Sequence, residues 1–472
     1  MEATALGAKV RSIRKEHRIT QARLAEQLGI SASYLNLIEH NRRPLPAGLL
    51  LKVARLFDLD LDAFIADDTA QVHADLMEVF GDEIFDEAGL TRGDVDEVVD
   101  HHPNVARAVR TLYDALLASR RRAQDLAADS DGQAGVGHRA PASEEVGDFF
   151  QVRGNYFDEL EAAAEGLSAR ARLDPHRMQE GLVSLLEGEL GYEVRFVSAA
   201  ASEGRVRRID RAAKVVEVSE LLRPRSRNFQ LAHTLGLLTQ SDVLDDLVDD
   251  PLLTREESRR LARVALCNYF AAAVLMPYEP FLQAVKDNRY DIELVGHRFR
   301  VSFEQVCHRL TTLRRPGREG VPFHLIRIDI AGNISKRFSA SGIRFARYSG
   351  ACPRWNVFRA LLTPGQIRTQ VSTMPDGTNF FCLARTLDKG DRGWRAFHTV
   401  HAIGLGCQVE HASALVYADG VDLSDESRHV EIGVSCRACP RKACEQRAMP
   451  SVGSPLRIDE DVRGVAFYSD VE

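Results

Sequence analysis

The sequence predicts a multidomain α+β protein, and three observations carry that expectation. A length of 472 residues supplies roughly three domains of about 100–200 residues each. Helical periodicity dominates the first 125 residues, whereas strand-like runs separated by glycine-rich turns dominate from Val321 onward. All eight cysteines, from Cys267 to Cys444, fall in the C-terminal half. With 44% hydrophobic and 27% charged residues, disordered and fibrous classes are excluded. No apolar run reaches the roughly eighteen residues of a membrane span, and the start lacks a signal peptide's basic-then-apolar order. A soluble, cytoplasmic protein with no membrane partner is therefore expected.

Residues 1–65 read as five short helices, over Leu6–Glu16, Gln21–Leu28, Ser31–His40, Leu49–Phe57 and Asp60–Phe64. From Gln21 the pattern is that of a helix-turn-helix. Leu24, Ala25, Leu28, Ile30, Leu35 and Ile38 occupy buried positions, and Gly29 supplies the positive φ of a tight turn. The second helix presents Ser31, Ala32, Ser33 and Asn36 outward, where short polar side chains reach base edges in a major groove. Gln21, Arg42 and Arg43 are expected to hold phosphates of double-stranded operator DNA. Residues 6–64 resemble the lambda-repressor-like (XRE) helix-turn-helix family throughout.

Charge is divided along the chain. Residues 1–65 carry ten Lys/Arg against seven Asp/Glu, a net +3. Residues 66–100 carry twelve acids and only Arg92, a net −11, and residues 297–359 carry thirteen bases against three acids, a net +10. Two basic regions flanking an acidic one suggest two anionic partners, or one polyanion and one small anionic ligand, with solvated faces as the bland alternative. Residues 70–125 continue as amphipathic helix with Leu112, Leu116 and Leu117 on one face, and the region 66–126 is expected to hold a homodimer together. A linker rich in Asp, Gly, Ala and Ser follows over 127–143.

A mixed domain is expected over 144–316, with helices at Tyr156–Ala171, Asn228–Leu238, Arg255–Leu275 and Phe303–Leu313 and strands at Tyr192–Val197 and Val215–Val218. Gln230 to Leu238, around His233, resembles the active-site helix of the ImmA/IrrE-like zinc peptidases, which implies a zincin-like fold. Thr234 stands where that family has its Glu base and Leu237 where it has its second His. Cys267 to Ala272 resembles the segment that carries the third ligand, and the Glu is missing there too, with Arg263 and Val264 in its vicinity. One histidine does not hold a catalytic zinc, so a degenerate, non-enzymatic scaffold is expected.

The last portion, 317–472, is read as a Cys-rich α+β domain, with a strand over His324–Ile330 and turns at Ala331-Gly332-Asn333 and Pro375-Asp376-Gly377. Cys436-x-x-Cys439 places two thiolates on adjacent vertices of one metal centre, Cys444 supplies a third, and Cys352 or Cys407 supplies the fourth. Three readings compete: a [4Fe–4S] cluster, a structural zinc, and free thiols. Arg437, Arg441, Lys442 and Arg447 offset the charge of a thiolate-bound centre.

In 321–360, Lys336, Arg337, Arg344 and Arg347 are candidates for phosphate contacts, and Phe338, Phe345, Tyr348 and Trp355 add stacking surface. A nucleotide with an apolar tail and a basic sheet face beside DNA fit this composition equally.

Arg327 to Arg337, Cys352 to Val357, His411-Ala412 with Val416 to Gly420, and Cys436 to Pro450 resemble the C-terminal domain of the short-chain fatty acyl transcriptional regulators, the ScfR group of PrpR-, RamB- and PccR-like proteins. The resemblance implies a transcription factor that senses a short-chain acyl-CoA and, in some members, carries an iron–sulfur cluster. Two other readings compete with it: a redox or iron sensor with the cluster as effector, and, further behind, a metallopeptidase fused to a repressor.

Overall fold

A computed structural model describes residues 10, 11, 14, 19–39, 43, 45–57, 68–88, 90–128, 142–346, 350–388, 399–451, 461, 462 and 466. They fall into two compact units, Met1–Arg110 and Thr111–Glu472.

In the first unit, α1 (Gln21–Leu28), α2 (Ala32–Glu39) and α3 (Ala47–Leu56) enclose Val10, Leu24, Ala25, Leu28, Leu35 and Val53. The Thr20 hydroxyl caps α1 by accepting from the Arg23 amide. Gly29 ends that helix at φ 73°, returning its N–H to the carbonyls of Ala25 and Glu26. The Ser31 hydroxyl accepts from the Tyr34 amide at 3.2 Å and so starts α2. The helix expected over Asp60–Phe64 and most of Leu6–Glu16 lie outside the described residues.

The helical stretch expected beyond residue 70 is interrupted. It consists of α4 (Asp68–Val79), a 3₁₀ segment at Glu83–Ala88, α5 (Arg92–His101) and α6 (Pro103–Ala128). The breaks are local chemistry. Thr91 and Asp94 form a reciprocal capping box that starts α5, and Pro103, lacking an N–H, begins α6 instead of continuing α5.

The second unit opens with α7 (Ala142–Val152), α8 (Asp158–Ala171) and α9 (Met178–Ser184). A small sheet of β1 (Glu193–Val197), β2 (Arg207–Asp210) and β3 (Val215–Ser219) follows in the order β1-β3-β2, with β1 parallel and β2 antiparallel to β3. Next come α10 (Pro224–Thr239), α11 (Ser241–Val248), α12 (Glu256–Leu275), α13 (Tyr278–Asp287), α14 (Ile292–Phe299) and α15 (Phe303–Leu310). The start of α10 precedes the expected Asn228 because Pro224 is favourable in a first helical turn. No single helix among the described residues is long and apolar enough to cross a membrane.

The larger sheet contains β4 (His324–Asp329), β5 (Ile334–Ser339), β6 (Arg368–Thr373), β7 (Asn379–Asp388), β8 (Val400–Gln408) and β9 (Val430–Glu431) in the order β5-β4-β8-β7-β6-β9. The β6–β7 turn forms at Asp376-Gly377 as expected, with Gly377 at φ 86°. Alternation along the strands sends side chains to opposite faces. Leu325, Phe381, Leu383, Ile403 and Leu405 join the helical core of 146–313, so that core is continuous across the sequence boundary at 316/317. Ile326, Ile328, Phe380, Cys382 and Ala402 face a second core with Cys352, Trp355 and Ile432.

At the centre of the helical core, Arg309 of α15 and Glu161 of α8 form a fully buried bidentate ion pair, at 2.5 and 2.9 Å. Arg309 Nε donates to the Met276 carbonyl at 3.0 Å, and Tyr269 of α12 donates to Glu161 at 2.6 Å. Removing one partner strands the other charge without water. Arg309→Leu is expected to destabilise the second unit by about 3–5 kcal/mol in urea unfolding, and Arg309→Leu combined with Glu161→Leu by less than the sum of the single substitutions.

Candidate nucleic-acid interface, ligand cleft and cysteine centre

In the head, Ser31, Ala32, Ser33 and Asn36 all lie exposed at or on α2, as the helix-turn-helix reading requires. Arg43 is also exposed, with its guanidinium 5.7 Å from the centre of the Tyr34 ring, and Arg42 lies outside the described residues. Gln21 is placed differently from expectation. Its amide donates to Glu39 at 2.9 Å, and its carbonyl oxygen accepts from Asn36 at 3.4 Å. Glu39, 2% exposed, also takes two bonds from Arg14 at 2.6 and 2.9 Å. The amide expected to hold phosphate is thus engaged within the head, where it links Asn36 to a buried ion pair.

The zinc-peptidase resemblance falls on α10. His233 is 4% exposed, and both of its ring nitrogens are engaged. Nδ1 lies 2.6 Å from Arg207 of β2, and Nε2 lies 3.3 Å from the Val264 carbonyl. Those partners fix one tautomer: Nε2–H donates to the carbonyl and Nδ1 accepts from the guanidinium. Burial, reinforced by the Arg207 charge, lowers the His233 pKa to about 4, so the ring is neutral. The lone pair that a metal would take is occupied by a fixed cation. Thr234, at the position of the missing base, bonds back to the Gln230 carbonyl at 2.8 Å and accepts from Arg207 at 3.2 Å. Arg263 pairs with Asp245. Burial pushes the Cys267 thiol up to about 12, leaving it un-ionised at neutral pH.

A cavity of about 1980 Å³ opens between α7, α10, α12, α15 and the β4–β5 hairpin. Ordinary small-molecule pockets hold roughly 300–1,000 Å³. Nine Lys/Arg and five Asp/Glu line it. Lys336, Arg337 and Phe338, three of the ligand candidates from the sequence, line this cleft. Trp355 and Arg344 do not line it, and Arg347 lies outside the described residues. Trp355 is 5% exposed on the other side of the sheet, where its indole donates to the Gly433 carbonyl at 2.9 Å.

The sequence reading missed Arg327 and Arg385, which also line the cleft. Alternation along β4 would have put Arg327 on a different face from Ile326 and Ile328. Carboxylates hold three of these guanidiniums: Arg327 with Glu304 at 2.7 Å, Arg337 with Glu144 at 2.5 Å, and Arg385 with Glu293 at 2.6 Å. Such pairing preorganises the planar forks that suit phosphate oxygens.

On the opposite face of the sheet, the segment at Cys352 meets the one at Cys436. Ala351 bridges Ser435, and the Cys352 amide donates to the Val434 carbonyl at 3.1 Å. Burial raises the Cys352 thiol, backbone N–H groups of Gly433 and Arg354 lower it, and the neighbouring Cys436 and Cys439 raise it again. Burial also raises Cys439, against an N–H from Arg441 and the charges of Arg447 and Arg441, with Cys444 as its thiol neighbour. The Ala448 amide donates to the Cys436 sulfur at 3.4 Å. Arg447, 7% exposed, staples the turn by donating to the carbonyls of Cys436 at 2.9 Å and Cys439 at 3.0 Å.

Among the described residues, no three His, Cys, Asp or Glu side chains are arranged as a closed metal site. The local surroundings still favour thiolates: amide N–H groups are directed at the sulfurs of Cys352, Cys436 and Cys439, and Arg441 and Arg447 lie close to Cys439. Cys407 is elsewhere. It follows Ile403 and Leu405 on the helical-core face of β8, and the sheet lies between it and Cys352. Of the two candidates, Cys352 is the one on the side of the sheet where the Cys436 segment packs.

Comparison with known proteins follows this geometry. Residues 10–64 match a helix-turn-helix family, 187–311 the IrrE N-terminal-like domain, and 312–468 the C-terminal domain of the short-chain fatty acyl coenzyme A regulators. The chain is 39% identical over 466 residues to the propionyl-CoA carboxylase regulator of Cereibacter sphaeroides, covering 99% of this chain and 98% of that protein. It is 38% identical to the HTH-type transcriptional regulator PrpR of Mycobacterium tuberculosis, covering 99% and 96%. A solved Mycobacterium tuberculosis transcriptional regulator superposes with a TM-score of 0.67 at 41% identity, covering 70% of this chain and all of that one. The chain accordingly belongs to the short-chain fatty acyl-CoA regulators, a family of helix-turn-helix transcriptional regulators.

Proposed function

We propose that this protein controls genes of short-chain acyl metabolism by binding operator DNA through α2, in the cytoplasm, with an affinity set by a short-chain acyl-CoA held in the cleft. The observation that carries the reading is the cleft itself. Its volume suits a long ligand, its preorganised arginines suit phosphates, and Phe338, Leu325 and Ile334 supply apolar wall. A dimer formed through residues 66–126 would place two recognition helices roughly one DNA turn apart and select a repeated half-site. A ligand acts on such an equilibrium only through its different affinities for the DNA-competent and incompetent states. The peptidase-like domain serves here as scaffold, since Arg207 occupies the one free valence of His233.

Cys352, Cys436, Cys439 and Cys444 would hold a [4Fe–4S] cluster, with zinc as the alternative. A cluster there supplies a redox-sensitive centre that cross-links the segments around Cys352 and Cys436. Arg447 and the peptide N–H groups stabilise the thiolate charge.

Calorimetry on anaerobically purified protein tests the ligand assignment. Micromolar or tighter binding of one short-chain acyl-CoA, with free acids silent, is expected; no binding of any thioester would refute it. Metal, iron and sulfide analysis of single variants tests the centre. Cys352→Ser is expected to lose the bound metal and Cys407→Ser to retain it.

A further inference from the structure

Among the described residues, one buried side-chain oxygen in the cleft has no hydrogen-bond partner. Asn228, on the first half of α10, is 9% exposed and lines the cavity, and its Oδ1 is buried without a hydrogen bond. Buried acceptors are almost always satisfied, so an orphan in a ligand cleft marks a place where a ligand completes the bonding. Arg225, one turn before Asn228, is the charged cleft residue on α10; toward α12 the lining is uncharged, with Phe229, Val264, Ala265, Asn268 and Ala272. Leu261, Val264, Ala265, Asn268 and Ala272 recur at helical spacing, so one stripe of α12 faces the cavity. Small side chains on that stripe leave room for a narrow chain.

We propose that Asn228 is a ligand-binding residue that pairs with an amide of the ligand's uncharged arm. The proposal rests on the acyl-CoA reading and adds to it where the pantetheine arm runs. The chemistry selects the arm. An amide oxygen needs a donor, and the pantetheine portion offers two amide N–H groups and a hydroxyl, whereas an ionised phosphate or a short carboxylate offers none. The adenine amino group and ribose hydroxyl are the other donors, and the narrow uncharged stripe beside Asn228 favours the arm over them. Rotating the Asn228 amide by half a turn presents Nδ2 to a pantetheine carbonyl instead, so either orientation recognises an amide. The phosphates are left to the guanidiniums of Arg327, Arg337 and Arg385.

The test uses the full chain and two probes: a short-chain acyl-CoA, and adenosine 3′,5′-bisphosphate, which lacks the arm. Asn228→Ala and the near-isosteric Asn228→Asp are expected to weaken acyl-CoA binding about tenfold or more, with bisphosphate affinity and melting temperature unchanged. Unchanged acyl-CoA affinity in both variants would overturn the proposal while leaving the ligand assignment intact. An equal loss for both probes would place Asn228 at the nucleotide or in the fold and overturn it too. Failure of the unmodified protein to bind any acyl-CoA would refute the underlying assignment instead.

Discussion

The buried ion pair of Glu161 and Arg309 sets the geometry on which the rest of the second unit depends. Both side chains are fully buried, and each charge is neutralised only by the other and by fixed polar neighbours. Helices α8, α12 and α15 meet at this point and cannot separate without exposing the pair or stranding half of it. Their cleft-facing residues follow. Tyr269, which donates to Glu161, lines the cleft, and α15 delivers Glu304 and His308 to the same wall. Glu304 then holds Arg327 across on β4. Packing in the core thus fixes cationic groups at the surface of the cavity.

The large sheet separates two chemistries. Along β4, Leu325 and Arg327 face the cleft, while Ile326 and Ile328 face the core beside the cysteine centre. Close packing is demanded on the second side. A Cβ at Gly406 would fall 2.6 Å from the His324 ring, and one at Gly404 would fall 3.1 Å from Ile326. Both glycines stand on β8, so this face of the sheet has no slack to absorb a shift. The altered peptidase site is equally local in origin. The Arg207 guanidinium fills the free lone pair of His233 with a hydrogen bond and its charge would repel a metal cation, and the helix persists because its burial does not depend on zinc.

Much of this was legible in the sequence where the cause is local. The helix-turn-helix depends on apolar spacing, one glycine and one capping serine, all within twenty residues, and the structure follows that pattern at Leu24, Gly29 and Ser31. The hairpin at Asp376-Gly377 is likewise written in two residues. Features set by distant contacts were not legible. Trp355 has the composition of a stacking residue, but its indole finds Gly433, 78 positions away. Gln21 looks like a phosphate contact until Glu39 is seen to capture its amide. The orphaned Oδ1 of Asn228 exists only once the helices have closed around it. Cys407 is an intermediate case: reading Ile403, Leu405 and Cys407 at period two would have put it on the wrong face for the cysteine centre.

With an acyl-CoA in the cleft, as proposed, its occupancy and operator binding by the helix-turn-helix head are coupled. The most direct measurement is the affinity of the full chain for a DNA fragment selected by the protein from a random pool. Fluorescence anisotropy at fixed salt, with and without saturating short-chain acyl-CoA, reads the coupling. The account predicts a shift of about fivefold or more with the thioester and none with the free acid. An unchanged affinity under conditions where the thioester is bound would contradict it.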